Sequence, residues 1–113
     1  MSQINSKRKA NATVYHFNDN FIGLIPRGFK PQWPFDYEPV AEVVVSNLEQ
    51  VFGLTQGNYL SKAEIAKVEW LDPLRPHRST MIGDVVVIDT GDVVETWRCC
   101  SYDWELLDPK YAD

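Results

Sequence analysis

The chain is short of basic residues and cysteines and has no long apolar run, and each shortage closes off a class of protein. Lysine and arginine number 11 against 16 aspartates and glutamates, giving a formal net charge of −5. A surface that wraps nucleic acid must replace phosphate counterions with basic side chains. Direct nucleic-acid binding is therefore not expected. No apolar stretch approaches the roughly 20 residues that a membrane-spanning helix needs, so no membrane contact is expected either. The opening MSQINSKRKAN has basic residues with no apolar segment behind them, unlike a secretory signal, and the expected compartment is the cytoplasm.

The two cysteines, Cys99 and Cys100, are neighbours. A disulfide between adjacent residues is strained, so they are expected as reduced thiols on opposite sides of a strand. There is no Cys-x-x-Cys and no Cys/His spacing of the kind that holds zinc. Glycine-rich phosphate loops are also missing. No metal and no cofactor are expected.

What is present is the composition of a folded domain: 113 residues, 44% hydrophobic and 12% aromatic. Residues 1–11, with Lys7, Arg8 and Lys9 and no acid, read as a polar basic tail, and 12–113 as a single domain. From Met81 onward the balance turns acidic, with Asp84, Asp89, Asp92, Glu95, Asp103, Glu105, Asp108 and Asp113 against Arg98 and Lys110. Such a half suits a partner protein with a basic surface, and equally suits ordinary solvation of strand faces and loops.

Along the chain, ATVYHFN (12–18) alternates like a strand, NDN turns, and FIGLIP reads as a short return strand stopped by Pro26. Pro26, Pro31, Pro34 and Pro39 make 26–39 a loop, because proline removes amide donors. That loop carries Phe29, Trp33, Phe35 and Tyr37, which either cover the core or present a contact surface. At VVVSNLEQVFGL the period changes from two to 3.6. Ser46 and Glu49 have capping-box spacing; Leu48, Val51 and Phe52 form an apolar stripe; and Gly57 is a natural stop. Residues 62–71 read both ways, as a helix capped by Ser61 and Glu64 or as a strand through KVEWL. A hairpin closes the pattern: Asp84–Ile88, a turn at Asp89–Asp92, then Val93–Cys99, with Tyr102–Leu107 adding a further strand. The expected fold is α+β, a small antiparallel sheet with one or two helices on one face and a C-terminal β-hairpin.

His77-Arg78-Ser79 supplies base, cation and hydroxyl side by side. Nucleophilic catalysis needs such groups to converge in space, and consecutive residues of an extended chain point alternately apart. Arg78 and Ser79 are instead expected to tie the hairpin's lead-in to neighbouring carbonyls and carboxylates. Gly83 supplies a bend and Asp84 caps amides beside it. No catalytic residue is assigned. For partner contact the candidates are the aromatic loop residues Trp33, Phe35 and Tyr37, the acidic turn residues Asp89 and Asp92, and the segment Tyr102, Asp103, Trp104 and Glu105. Ser46, Glu49, Arg78, Ser79, Gly83 and Asp84 are the expected structural motif.

LEQVFGLTQ (48–56), a spacer, and RSTMIGDVVVI (78–88) together resemble a small domain of phage, plasmid and other mobile-element proteins, of the YodL-like or a related kind. That domain carries a helix ending near Thr-Gln followed by Arg-Ser-x-x-x-Gly-Asp-Val. The chain departs from the pattern at Thr80-Met81-Ile82 and in Ser101–Glu105. The resemblance implies a mobile-element setting, and host cytoplasm if phage-encoded. Three functions fit: a non-enzymatic protein that binds a host or viral protein, such as an inhibitor of a defence complex of the anti-CRISPR or antirestriction type; an accessory protein of replication or packaging; or a small enzyme with no recognisable motif.

Overall fold

A computed structural model of the chain describes residues 10–45, 47–56, 61–74, 77–91 and 93–107. Ser46, Gly57, Asp92 and most of the expected tail lie outside the described residues.

Six strands form one sheet: β1 (Ala10–Phe17), β2 (Tyr37–Val45), β3 (Val68–Trp70), β4 (Val85–Asp89), β5 (Val94–Cys99) and β6 (Trp104–Leu106). Their order is β3-β2-β1-β4-β5-β6, and every neighbouring pair is antiparallel. β1 begins at Ala10, inside the stretch expected to be tail, because Ala10 and Asn11 pair with Val45 and Val44. The expected hairpin is β4–β5, with Asp89 opposite Val94, and β6 extends the sheet beyond it.

Alternation sorts the side chains. One face carries Ala12 and Val14 of β1, Ala41, Val43 and Val45 of β2, Val86 and Ile88 of β4, and Trp97 of β5, all buried. Helix α1 (Leu48–Leu54) closes this core with Leu48, Val51 and Leu54. Two expectations about α1 need correction. Its N-cap is Asn47, whose side chain accepts from the Gln50 amide at 2.9 Å, so the expected Ser46–Glu49 box is displaced by one residue. Phe52 is 37% exposed, and Leu54 takes the core position expected of it.

Residues 62–71 hold both expected forms in succession. The Ser61–Glu64 capping box starts α2 (Lys62–Ile65), and β3 follows directly. α2 buries no side chain, so of the two described α-helices it is α1 that packs on the sheet.

FIGLIP is not a strand. Asp19–Arg27 winds as a 3-10 segment, capped by the Asn18 side chain on the Asn20 amide and closed by Gly28 at φ 92°. The proline-rich stretch also differs from expectation at its end, because Pro39 lies within β2. Between Val14 and Tyr15 the β1–β2 register slips, setting Tyr15 opposite Pro39. β3 pairs only with Ala41–Val43, so Pro39 faces no strand on its outer side and its missing amide costs no ladder bond. The loop before it folds onto the second face of the sheet. There the Trp33 ring stands edge-on to Tyr15 at 4.9 Å and to Tyr37 at 5.3 Å.

Among the described residues, no helix is long and apolar enough to cross a membrane.

Candidate functional site

The antiparallel register gathers three connections at one end of the sheet. The loop after β1, the lead-in to β4 and the β5–β6 turn all meet where Phe17, Asp84 and Cys99 lie. Two arrangements stand out at this end, one buried and one open.

The buried arrangement centres on Asp84, which has no solvent exposure. Arg78 grips its carboxylate with two parallel bonds, Nη1 to Oδ2 at 2.7 Å and Nη2 to Oδ1 at 2.8 Å. The backbone amides of Phe17 and Met81 donate to the same two oxygens, at 3.1 and 2.7 Å. Arg78 spends its remaining donors on Asp19, the Phe17 carbonyl and the Ser79 carbonyl, each at 3.1 Å. Its guanidinium carbon lies 4.5 Å from the centre of the Phe17 ring. Gly83, at φ 100°, makes the bend that delivers Asp84. A side chain there would press on the Phe17 ring as well as strain the backbone. The Gly83 carbonyl accepts from the Tyr37 hydroxyl at 2.6 Å.

Sequence reasoning did not find His16 in this cluster. It is buried on β1, with Nε2 3.1 Å from Thr80 Oγ1 and 3.8 Å from Asp84 Oδ2. Burial lowers the His16 pKa to about 4, against the opposing pull of the Asp84 charge, so the ring is neutral at pH 7. The alternation of β1 hinted at a buried histidine, but its partners lie more than 60 residues away in sequence, beyond any local pattern.

Histidine, hydroxyl and carboxylate thus meet, yet not as a relay. Hydroxyl and carboxylate approach the same ring nitrogen, whereas a nucleophile triad uses both nitrogens. Thr80 and Asp84 are both buried, and Asp84 already accepts four hydrogen bonds. The expected triplet is spread in three directions. His77 stacks on Trp70 at 4.5 Å and donates to the Asp72 carbonyl, Arg78 turns to Asp84, and the Ser79 hydroxyl donates to the Gln56 carbonyl at 2.6 Å. The Gln56 side chain returns a bond to the Thr80 carbonyl at 2.8 Å. What this cluster does is clamp β1, α1 and the hairpin to one another.

The open arrangement lies at the β5–β6 turn. Cys100 donates its amide to the Asp103 carbonyl at 2.9 Å, and the turn holds Tyr102 fully exposed. On the α1 side of this turn is a groove of about 200 Å³, lined by Phe52 and Glu49 from α1 and by Tyr102, Asp103 and Trp104. Phe52 and Glu49, neither expected as a contact residue, join three that were. On the other side Glu105 sits 3.5 Å from Arg98.

The other expected contact residues are elsewhere. Trp33 and Tyr37 are half-buried against the sheet, while Phe35 stands 87% exposed. Asp89 is exposed at the far end of the β4–β5 hairpin, where its carboxylate accepts from the Gly91 amide. The expected set therefore does not form one surface.

Cys99 and Cys100 carry free thiols. Burial, aided by the Asp84 charge, pushes Cys99 up to about 11, and burial also raises Cys100, so both stay protonated near neutral pH. Among the described residues, no group of three or more His, Cys, Asp and Glu is placed to hold a metal ion. Comparison with protein-family models, curated proteins and solved structures finds no match.

Proposed function

We propose that this protein acts by binding another protein, through the β5–β6 turn and the groove between that turn and α1. The observation that carries the reading is Tyr102, wholly in solvent above a groove walled by Phe52 and Trp104 and edged by Glu49 and Asp103. Aromatic rings set beside carboxylates suit a lysine or arginine side chain, which gains a cation–π contact and an ion pair together. The net charge of −5 favours approach of a basic partner surface.

The resemblance of Leu48–Gln56 and Arg78–Ile88 to mobile-element domains supports a phage or plasmid setting. There the partner is a host defence complex, and the protein acts as an inhibitor of the anti-CRISPR or antirestriction kind. An accessory role in replication or packaging would use the same surface on a different target.

The test is affinity capture from host lysate with the wild-type chain, Tyr102→Ala, Phe52→Ala and Asp89→Ala, with bound proteins identified by mass spectrometry. The expected result is a partner retained by Asp89→Ala and lost by the other two variants, released from the wild type by rising salt. A partner lost by Asp89→Ala and kept by Tyr102→Ala would overturn the assignment of the surface.

A further inference from the structure

On the opposite side of the β5–β6 turn from the groove lies a second cleft, of about 280 Å³. Ile25, Phe29 and Pro31 form one wall, Ile82 and Gly83 the other, and Cys99 and Cys100 lie between them. Its walls are held by backbone bonds. Gly28 and Phe29 donate to Ile25 and Leu24 at the end of the 3-10 segment, and Gly83 donates to Cys99 at 2.9 Å. The cleft is therefore largely formed before any ligand arrives. Phe29 and Ile82 are 38% and 47% exposed, apolar side chains left facing water at its edge.

Its charge runs against that of the whole molecule. Among its described lining residues are Lys30 and Arg98 with Glu105 as the single acid, a local excess of one positive charge on a chain of net −5. Lys30 makes no ion pair with a described carboxylate, and the Arg98–Glu105 contact is long, at 3.5 Å. Arg98 also meets the Tyr37 hydroxyl, and its five-donor guanidinium keeps donors beyond those directed at Glu105 and Tyr37. Apolar walls with a few convergent polar groups are the usual form of a small-molecule site, and this volume lies near the small end of the range.

We propose that the cleft binds a small amphipathic anion, an alkyl or aryl carboxylate. Its apolar body lies between Phe29 and Ile82, and its carboxylate is held by Lys30 and Arg98. Ile82 lies just before Gly83 and Asp84, so the ligand would rest against the clamped end of the sheet and beside the turn that displays Tyr102.

Octanoate is the probe, titrated into the isotope-labelled full chain and followed by backbone amide shifts, with octanol and octylammonium as neutral and cationic counterparts. Octanoate is expected to shift amides at Ile25–Phe29, Ile82 and Cys99–Ser101. Octanol should bind at least about tenfold more weakly, for want of a carboxylate to meet Lys30 and Arg98, and octylammonium not at all. Lys30→Glu should weaken octanoate at least as much, and Ile82→Ala should weaken octanoate and octanol alike. Both residues are solvent-exposed, so unchanged melting of the variants is expected. Tyr102→Ala should leave octanoate binding intact, which separates failure here from failure of the protein-binding surface. Octanol matching octanoate, shifts unaffected by Lys30→Glu, or no localised shifts at millimolar octanoate would each overturn the proposal.

Discussion

Asp84 and Tyr102 occupy the same end of one sheet and could hardly be treated more differently by the fold. Asp84 is wholly buried and accepts four hydrogen bonds, while Tyr102 is wholly exposed. The segment that looks chemically rich in sequence, His77 to Asp84, spends its polar groups on holding elements together. The plainer segment after Cys100 ties Glu105 to Arg98 and packs Trp104 against the core, but leaves Tyr102 wholly to solvent. A dense run of polar residues marks a binding or catalytic role only when some of its groups stay unspent.

The largest expected effect tests the buried side of that contrast. Asp84→Ala leaves Arg78 with only the exposed Asp19 carboxylate and strips the Phe17 and Met81 amides of their acceptor, so it should cost about 3–5 kcal/mol in chemical denaturation. A loss below about 1 kcal/mol would show that the clamp is dispensable and that the two regions differ less than their burial suggests.

Acid should reach the same region through His16. Its pKa in the folded chain, about 4, lies below the 6.5 of an ordinary histidine, so the unfolded chain takes up the proton first. Stability should be fully present above pH 6.5 and decline as pH falls toward 4, by about 3 kcal/mol from this residue. Unfolding free energies measured across that window should fall more steeply for the wild type than for His16→Gln. Equal slopes would remove His16 as the source.

Phe52 stands between the two extremes. Because it is 37% exposed, Phe52→Ala should cost about 1 kcal/mol, against roughly 2–5 for Leu48→Ala beside it in the core. Comparable losses in thermal melts would place Phe52 with the core and take it out of the groove.

Tyr102→Ala should be the mildest, within about 0.5 kcal/mol of wild type, as for a surface side chain with no structural task. A marked drop in melting temperature would mean that the turn is part of the scaffold and not an open surface.

Much of the fold could be read from local sequence because local rules decide it. The β4–β5 hairpin follows from two runs rich in β-branched residues on either side of a turn, and α2 from the Ser61–Glu64 pair, whose two side chains each meet a backbone amide. Errors arose where two local solutions compete. Ser46 and Asn47 are both good caps by residue type, and Asn47 takes the role; packing on the sheet then buries Leu54 and leaves Phe52 at the rim. FIGLIP has strand-like residues, but Asn18 and Gly28 bracket it with helix-type ends. Pro39 is tolerated in β2 because β3 is short, which nothing near Pro39 in sequence reveals. At the clamp, Arg78 and Asp84 are six residues apart and legible as a pair, whereas their contacts with Phe17 and Asp19 are purely tertiary. The groove escaped notice for the same reason, since α1 and the β5–β6 turn are brought together only by the finished sheet.

The central position of β1 has a consequence for how the chain is made. β1 pairs with β2 and with β4, and the clamp bonds from Phe17 to Arg78 and Asp84 span 61 and 67 residues. One edge of β1 therefore has no strand to pair with until β4 leaves the ribosome. Long-range closures of this kind slow folding, and an open strand edge invites association in the meantime. Nascent chains halted at Ile82 should be cut readily by protease within β1, and chains halted well beyond β6 should resist. Equal resistance in the two would mean that β1 and β2, with α1, already hold together before their central partner exists.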